Sequence, residues 1–311
     1  MVSLGFVGLG SMGGPMCARL AQAGYEVHAF DIDQANVASA VAVGAVLAES
    51  AAACASASDI FLTSLPRPDH VEAVMLSGGA LEALRPGAIW ADLTTNDIGL
   101  VSRLAERAPE GVSVVDCPVT GAVDGARNGR LTLFAGGEPA DVERIRPVLE
   151  NLGTVIACGP LGTGNVVKLV TNQLWFVAAA AIGEGFALGV HHGVDLKVLY
   201  SAIRQSVGDS FVAAHDAPSI FAGHYDPSFS LDLCLKDLRL IKGLQENLGA
   251  ELPMTDAARG AFTVAADRYG TDAPELVVAK RIEEDADLSF RLPGDWVAPW
   301  EVDDSVSTLQ R

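Results

Sequence analysis

The chain has 311 residues, of which 50% are apolar and 19% are charged, so it is not an intrinsically disordered protein. Its net charge of −18 repels nucleic acid and anionic lipid, so neither nucleic acid nor a membrane is expected as a partner. The five cysteines are odd in number and far apart, which predicts neither a disulfide framework nor a metal site. The first residues contain no basic segment ahead of an apolar run, so we expect a cytoplasmic protein.

The first 160 residues alternate between short β-rich runs and Ala-rich helical stretches. This alternation predicts a parallel, doubly wound α/β sheet. The runs are Ser3–Val7, Glu26–Phe30, Ile60–Thr63, Ile89–Asp92, Ser113–Val115, Leu131–Ala135 and Val155–Ala157.

The pattern becomes helical after about Gly164. Residues 165–190 contain no proline and carry apolar side chains on most faces, which predicts one long buried helix. Only helical patterns follow it, to about Asp287. The fold class that we expect is therefore an α/β sheet domain and a C-terminal all-α domain, joined by a long interdomain helix. The predicted bounds are 1–162 for the sheet domain, 163–290 for the helical domain, and 291–311 for an extended tail that contains Trp296 and Trp300.

A glycine-rich turn follows the first β-rich run directly. Gly8, Gly10 and Gly13 have the spacing GxGxxG, and a helical stretch begins behind them. Glycines here allow a tight turn, close approach of the backbone to a pyrophosphate, and close packing of helix on strand. The segment predicts the dinucleotide site of a Rossmann-type domain, with a purely structural turn as the alternative. The predicted contacts in this turn are Gly8, Leu9, Gly10, Ser11, Met12 and Gly13.

An acidic residue ends the second β-rich run. Asp31 lies 18 residues after Gly13, where a carboxylate can hydrogen-bond the adenine-ribose 2′-hydroxyl. NADP would need a cation at its 2′-phosphate, and no Lys or Arg occurs between Arg19 and Arg67. The sequence therefore favours NAD over NADP as the cofactor.

Lysine is scarce in this chain, with five residues against sixteen arginines. Lys168 lies near the start of the predicted long helix, and Asn172 follows one turn later on the same helix face. Because burial can bring a lysine amine toward a pKa that suits proton transfer, this pair is a candidate for acid–base catalysis and substrate binding. A lysine that reaches solvent from the end of the helix is the alternative.

Thr120, Gly121 and Ala122 follow another β-rich run. A hydroxyl followed by small residues leaves backbone N–H groups available to bind an anion. Taken alone, the segment also fits an ordinary turn.

The order of these motifs resembles the β-hydroxyacid dehydrogenase family, which includes 3-hydroxyisobutyrate dehydrogenase-like enzymes and is related to 6-phosphogluconate dehydrogenase. The resemblance covers roughly residues 3–290 and depends on segments that keep the family's order and spacing. These segments are GFVGLGSMGGPMCARLAQAG (5–24), LP (65–66), DLTT (92–95), DCPVTGAVDGARNGRLTLFAGG (116–137), GTGNVVKLVTNQ (162–173) and KDL (236–238).

The resemblance implies NAD-dependent interconversion of a small 3-hydroxy acid and its semialdehyde or keto acid, with Lys168 as the general acid and base. It implies that Thr120, Gly121 and Asn172 hold the substrate. Where the family usually has Ser-Gly-Gly, this chain has Thr-Gly-Ala, so Ala122 and the threonine methyl should narrow the pocket. The cofactor contacts that the resemblance adds are Leu65, Pro66, Thr95 and Lys236, together with His70, which falls where relatives often carry Asn.

Two other functions remain as alternatives. An imine reductase-like enzyme would generally have replaced the lysine, and a catalytically silent dinucleotide-binding protein would keep the glycines and lose it. Lys168 argues against both. We expect a small anionic substrate and a homodimer or homotetramer, because so apolar a helix should hide surface against a partner subunit.

Overall fold

The computed structural model of the chain describes residues 2–246, 248–294 and 296. The chain divides into two compact units, Met1–Leu169 and Val170–Arg311, which we call unit 1 and unit 2. The division falls inside the long helix, seven residues after the predicted boundary at residue 162. The first turns of the helix therefore belong to the sheet domain.

Unit 1 is an α/β domain whose strands alternate with helices. Its strands are β1 (Ser3–Val7), β2 (Glu26–Phe30), β3 (Val46–Leu47), β4 (Ile60–Thr63), β5 (Ile89–Asp92), β6 (Ser113–Asp116), β7 (Val119–Thr120), β8 (Leu131–Gly136) and β9 (Gly153–Gly159). Its helices are α1 (Gly13–Gln22), α2 (Gln34–Ala42), α3 (Ala51–Ser56), α4 (Pro68–Glu72), α5 (Ala80–Ala83), α6 (Ile98–Glu106), α7 (Ala122–Asn128) and α8 (Pro139–Leu149), with a π-helical segment at Ala73–Ser77.

The strands β3, β2, β1, β4, β5 and β6 are parallel neighbours in that order. The chain reverses direction across the sheet between β1 and β4, which is where doubly wound folds bind ligands, at the carboxyl ends of the strands. The predicted Rossmann-type sheet is confirmed. The two-residue strands β3 and β7 were not predicted, because so few residues show no alternation.

The far edge of the sheet departs from the parallel arrangement. β8 pairs antiparallel with β6 and β7 and parallel with β9. A parallel connection needs a crossover of about a dozen residues or more, and only residues 121–130 separate β7 from β8. The expectation of a wholly parallel sheet was therefore wrong at this edge.

The centre of the sheet is covered on both faces. β4 and β5 are buried along their whole length, which explains why they read as continuous apolar runs. Successive side chains point to opposite faces, so Leu62 belongs to one core cluster and Phe61 to the other. Trp90 is fully buried on the same face as Phe61. Packing on both faces leaves the strand ends as the accessible edges.

Several helices of unit 1 begin at a side chain that caps them. Asp33 accepts a hydrogen bond from Ala35 N at 2.9 Å, and Asp97 accepts one from Leu100 N at 2.7 Å. Such caps satisfy N–H groups that have no partner inside the helix. They start α2 and α6 immediately after the carboxyl-end loops of the sheet.

Unit 2 is built from helices, as the sequence predicts. Its helices are α9 (Thr163–His191, which begins in unit 1), α10 (Leu196–Arg204), α11 (Ala217–Ala222), α12 (Leu231–Glu246), α13 (Pro253–Tyr269) and α14 (Val277–Asp285), with a π-helical segment at Val212–Asp216.

The core of unit 2 forms around α9. The Phe176 ring lies 5.3 Å from that of Phe262, and a Cβ on Gly183 would lie 2.9 Å from the Cα of Ala279, so glycine allows α14 to pack closely. The ring of Trp296 lies 5.2 Å from that of Phe221 within the same unit. Trp300, the other tryptophan of the expected tail, lies outside the described residues.

By length and composition alone, α9 could cross a membrane, since its most apolar 18-residue window has a mean hydropathy of 1.5. Polar side chains nevertheless join it to the rest of unit 2. Gln173 Nε2 donates to Thr255 Oγ1 at 2.6 Å, and Trp175 Nε1 donates to Asp216 Oδ2 at 2.8 Å. Contacts of this kind are typical of a helix packed inside a protein domain.

Candidate active site

The glycine-rich turn between β1 and α1 has the geometry of a dinucleotide cradle. Gly8 has a φ of +92°, and a Cβ on it would lie 2.2 Å from the carbonyl oxygen of Ser64. A Cβ on Gly13 would lie 1.9 Å from the carbonyl oxygen of Gly8, so only glycine lets the helix approach the strand. Gly10 is exposed, and a Cβ there would meet no atom within 4 Å. This open side of the turn fits the close approach of a pyrophosphate.

Asp31 lies beside this turn at the end of β2. Its Oδ2 accepts a hydrogen bond from Leu9 N at 2.5 Å, and its Oδ1 accepts one from Asp33 N at 2.8 Å. The Leu9 side chain is part of the core. The Leu9 N–H therefore holds the carboxylate of Asp31 in place beside the glycine turn. Ser11 is exposed and Met12 is half-buried.

The turns that follow β4 and β5 are tied to each other. Leu65 N donates to Thr94 Oγ1 at 3.0 Å, and the Leu65 side chain lies against Gly8. This places Leu65 and the neighbouring Pro66 and Thr95 at the same end of the sheet as the glycine turn. His70 is exposed on α4.

A buried carboxylate at the end of β5 organises these turns. Asp92 Oδ1 accepts hydrogen bonds from Thr63 Oγ1 at 2.8 Å and Thr94 N at 3.1 Å, and its Oδ2 accepts one from Asn96 Nδ2 at 2.7 Å. Burial raises the pKa of Asp92, and the hydrogen bonds from Asn96, Thr94 and Thr63 oppose that rise. The network joins the ends of β4 and β5.

A second buried carboxylate, Asp116 at the end of β6, holds the start of α9. Its Oδ1 accepts from Gly162 N at 2.6 Å, and its Oδ2 accepts from Asn165 N at 2.6 Å and Asn165 Nδ2 at 3.0 Å. Burial raises the pKa of Asp116 to about 6, although the three hydrogen bonds to its carboxylate act to lower that pKa. The Asn165 side chain also accepts from Asn96 N at 2.7 Å. The first turn of α9 is thus fixed to the carboxyl edge of the sheet.

Two glycines make this contact possible. A Cβ on Gly164 would lie 2.2 Å from the carbonyl oxygen of Phe134, and one on Gly136 would lie 2.4 Å from Asp116 Oδ1. Gly164 of the GTGN segment and Gly136 at the end of β8 therefore have a packing role at the start of the helix. Asn96, Asp116 and Asn165 were not predicted as site residues. The available signal was a polar residue at the end of a buried strand, which applies to Asp116.

Lys168 lies one turn after Asn165 on α9, and its side chain is 8% exposed. That burial does not fit the alternative in which the lysine extends from the helix end into solvent. Lys168 belongs to unit 1, whereas Asn172, on the next turn of the same helix, belongs to unit 2.

Thr120 ends β7, Gly121 follows it and Ala122 begins α7, and all three residues are half-buried. Gly121 has a φ of +123° and Ala122 a φ of +55°. Left-handed backbone costs an alanine about 1–2 kcal/mol relative to the right-handed form. The glycine that the family usually carries at position 122 would adopt this conformation without that cost.

In unit 2, a buried carboxylate joins two of the predicted residues. Asp237 Oδ2 accepts from Asn172 Nδ2 at 2.7 Å, and its Oδ1 lies 2.8 Å from Lys236 Nζ. All three side chains are buried. The positive charge of Lys236 is therefore balanced by a carboxylate inside unit 2.

Another group of potential ligands in unit 2 is formed by His215, Asp216 and Asp226, whose ligand atoms lie within 4.8 Å of one another. His215 Nδ1 is 2.8 Å from Asp216 Oδ1, and Ser228 Oγ donates to Asp226 Oδ1 at 2.5 Å. The other carboxylate oxygen of Asp216, Oδ2, accepts a hydrogen bond from Trp175 Nε1. Donors of the protein itself therefore engage both aspartates.

Comparison with known proteins identifies the family to which this chain belongs. Residues 3–160 match the NAD binding domain of 6-phosphogluconate dehydrogenase, and residues 162–281 match the NAD-binding domain of NADP-dependent 3-hydroxyisobutyrate dehydrogenase. The chain is 37% identical over 265 residues to a 2-(hydroxymethyl)glutarate dehydrogenase of Eubacterium barkeri, covering 84% of this chain and 88% of that protein. It is 34% identical over 278 residues to a 3-hydroxyisobutyrate dehydrogenase of Pseudomonas aeruginosa, covering 86% of this chain and 93% of that protein.

A solved structure agrees with the sequence relatives. The 3-hydroxyisobutyrate dehydrogenase of Mycobacterium tuberculosis, determined with L-serine, superposes with a TM-score of 0.83 at 29% identity, covering 91% of this chain and 99% of that one. Both halves of the chain and the order of its motifs therefore lead to one conclusion: the protein belongs to the β-hydroxyacid dehydrogenase family.

Proposed function

We propose that this protein catalyses the reversible, NAD-linked oxidation of a small 3-hydroxy acid to its semialdehyde or keto acid, with Lys168 as the general acid and base. The observation that carries the proposal is the burial of Lys168 on a helix whose first turn Asp116 fixes to the carboxyl edge of the sheet. The glycine turn lies at that same edge, because β1 and β6 run parallel within the sheet.

The names of the relatives narrow the class of substrate. 2-(Hydroxymethyl)glutarate, 3-hydroxyisobutyrate and L-serine all contain the unit HOCH₂–CH(R)–COO⁻ and differ only in R. We propose that this chain acts on such a 2-substituted 3-hydroxypropanoate. Ala122 and the threonine at position 120 favour a small R group, because each adds a methyl relative to the family's usual residue.

The residues of unit 1 fit a nicotinamide dinucleotide. The glycine turn and the N-terminus of α1 would hold its pyrophosphate, and Asp31 would hold the adenine ribose. The turns at Leu65-Pro66 and Thr95 would contact the rest of the dinucleotide, and we propose His70 as a further contact. Lys236 of unit 2 is proposed as a cofactor contact on the family resemblance alone. Because Asp31 is a carboxylate with no lysine or arginine near it in sequence, we propose NAD rather than NADP.

When bound, the nicotinamide ring supplies a hydride acceptor or donor for the carbon that carries the hydroxyl. In the oxidation, the neutral Lys168 amine takes the proton from that hydroxyl. In the reduction, the Lys168 ammonium returns a proton to the carbonyl oxygen. Thr120 and the N–H groups of Gly121 and Ala122 would bind the carboxylate, and Asn172, on the same helix as Lys168, is the proposed second substrate contact.

The test is a panel of 2-substituted 3-hydroxypropanoates assayed with NAD and with NADP, beside the methyl ester and the uncharged alcohol of the best substrate. We expect the acid to be oxidised with NAD and the ester and alcohol to react poorly. Equal oxidation of the uncharged compounds would contradict the carboxylate site. Binding of NADH without turnover of any acid would favour the silent alternative, and reduction of a cyclic imine would favour the imine reductase.

A further inference from the structure

The helix that carries Lys168 is capped in an unusual way. α2 and α6 are capped by the aspartates that directly precede them, Asp33 and Asp97. At α9, two backbone N–H groups donate instead to Asp116: that of Gly162, the residue directly before the helix, and that of Asn165 in its first turn. Asp116 lies 46 residues before Gly162 and 49 before Asn165. A capping group that belongs to a strand fixes the helix relative to the sheet, which a cap from the preceding residue does not do.

Asp116 is itself held firmly in the sheet. It is the last residue of β6, it pairs with Asp92 of β5, and it pairs on the other side with Gly136 of β8. Its side chain is fully buried. Its carboxylate therefore has a fixed position from which it can orient the first turn of α9.

The side chain of Asn165 completes the attachment. Its Oδ1 accepts from Asn96 N and its Nδ2 donates to Asp116 Oδ2. The backbone N–H can only donate and the carboxylate can only accept, so the orientation of the amide is determined. An aspartate at position 165 would face the Asp116 carboxylate, and an apolar residue would leave Asn96 N without this acceptor.

Lys168 follows Asn165 by three residues, so the two side chains share a helix face and their Cα atoms are separated by about 4.5 Å along the axis. A shift of the first turn would therefore move the lysine with it. Misplacement of a reacting group by about 1 Å can lower a rate by about 100-fold.

We infer that Asp116, acting through Asn165, is a positioning residue that determines where Lys168 stands at the carboxyl edge of the sheet. The inference rests on the proposed function, in that Lys168 must be the proton-transfer group. It assigns a role in the reaction to two residues that are not among the proposed substrate and cofactor contacts.

The experiment is a double-mutant cycle between Asn165→Ala and Lys168→Ala, measured as kcat at several pH values and as the dissociation constant of NADH. We expect Asn165→Ala alone to lower kcat by about 10- to 100-fold and to move the pH profile, with NADH affinity retained. In the Lys168→Ala background the same substitution should lower kcat no further. If Asn165→Ala does not fold, Asn165→Ser, which keeps a hydroxyl for Asn96 N and Asp116, supplies the same cycle.

A matched control removes a cap of another helix. Asp195 accepts from Val198 N at 3.1 Å at the start of α10, and Asp195→Ala should leave kcat and its pH profile as they are. A kcat that Asn165→Ala leaves unchanged, or lowers by the same factor with and without Lys168, would overturn the inference. Failure of the proposed function looks different, because Lys168→Ala would then retain its activity.

Discussion

Asn172 and Asp237 are hydrogen-bonded inside unit 2, with Asn172 Nδ2 donating to Asp237 Oδ2 at 2.7 Å. The other carboxylate oxygen of Asp237 lies 2.8 Å from the ammonium of Lys236. The two partners are 65 positions apart in the chain, and their hydrogen bond joins α9 to α12. Asp237 therefore orients the Asn172 amide with one carboxylate oxygen and balances the buried charge of Lys236 with the other.

Asp237→Ala should therefore be strongly destabilising. It removes the acceptor of the Asn172 amide and the carboxylate that lies 2.8 Å from Lys236 Nζ. Breaking a buried ion pair typically costs about 3–5 kcal/mol. The measurement is urea unfolding. Asp256→Ala is the control, since Asp256 pairs with Arg259 at 2.9 Å on the surface. This substitution should lower the free energy of unfolding only slightly. Similar midpoints for the two variants would contradict this assignment.

Asp31 should determine the choice of cofactor. Its carboxylate is fixed by Leu9 N and Asp33 N beside the glycine turn and would repel a 2′-phosphate. We expect a higher kcat/KM with NAD than with NADP. Asp31→Ala should weaken NAD binding and lower the ratio of kcat/KM with NAD to kcat/KM with NADP. Asp33→Asn, which removes the same charge two residues away and can still cap α2, should leave the ratio in place. Equal kcat/KM values for both cofactors in the unmutated protein would refute the prediction.

Lys168→Ala should lower kcat by about 10²–10⁴-fold, the usual contribution of acid–base catalysis, while NADH still binds. Lys168→Arg should fail in the same way, because a guanidinium does not release its proton near neutral pH. Lys197→Ala, at an exposed lysine of α10, serves as the control and should retain activity. An arginine variant with nearly normal kcat would remove Lys168 from the proton path.

Asp116 should make the protein less stable as the pH rises. Burial raises the pKa of Asp116 from 3.8 to about 6, so the folded state binds the proton more tightly than the unfolded state. The resulting stabilisation is present below about pH 4 and is lost as the pH rises through about 6, with an upper limit of about 3 kcal/mol.

Thermal unfolding of the unmutated protein and of Asp116→Asn between pH 4 and pH 7 isolates this effect. The Tm of the unmutated protein minus that of the variant should fall across the range. Burial also raises the pKa of Asp216 and Glu275 in unit 2, but these groups titrate in both proteins and cancel in the difference. Asp92 does not cancel, because its charge contributes to the raised pKa of Asp116 and is part of the measured effect. A difference in Tm that stays constant with pH would contradict the shift.

The exposed apolar stripe of α9 should form an interface between copies of the chain. Leu174 and Leu188 are each 66% exposed and Val170 is 45% exposed, and the spacing of these residues places them on one helix face. We expect a homodimer or homotetramer in light scattering at micromolar concentration. The double variant Leu174→Arg/Leu188→Arg should associate more weakly. Val207→Arg, at an exposed residue outside the helix, should leave the association unchanged. A monomeric unmutated protein would show that this face has no such role.

The sequence by itself determined the features that depend on neighbouring residues. The glycine turn from Gly8 to Gly13 was predictable because its backbone conformation and its helix start are specified within six consecutive residues. The long helix was predictable because its apolar pattern is continuous over residues 165–190. Asp31 was predictable because its distance from the turn is set by one strand–helix–strand unit.

The tertiary structure decided which polar groups meet. Asp116 and Asn165 are 49 residues apart, and Asn172 and Asp237 are 65 apart, so their hydrogen bonds exist only once distant segments have packed. The reversal of β8 likewise depends on pairing across the sheet and not on its own apolar run. A polar residue at the end of a buried strand has the same local pattern whether it faces water or a buried partner, because the partner is supplied by another part of the chain.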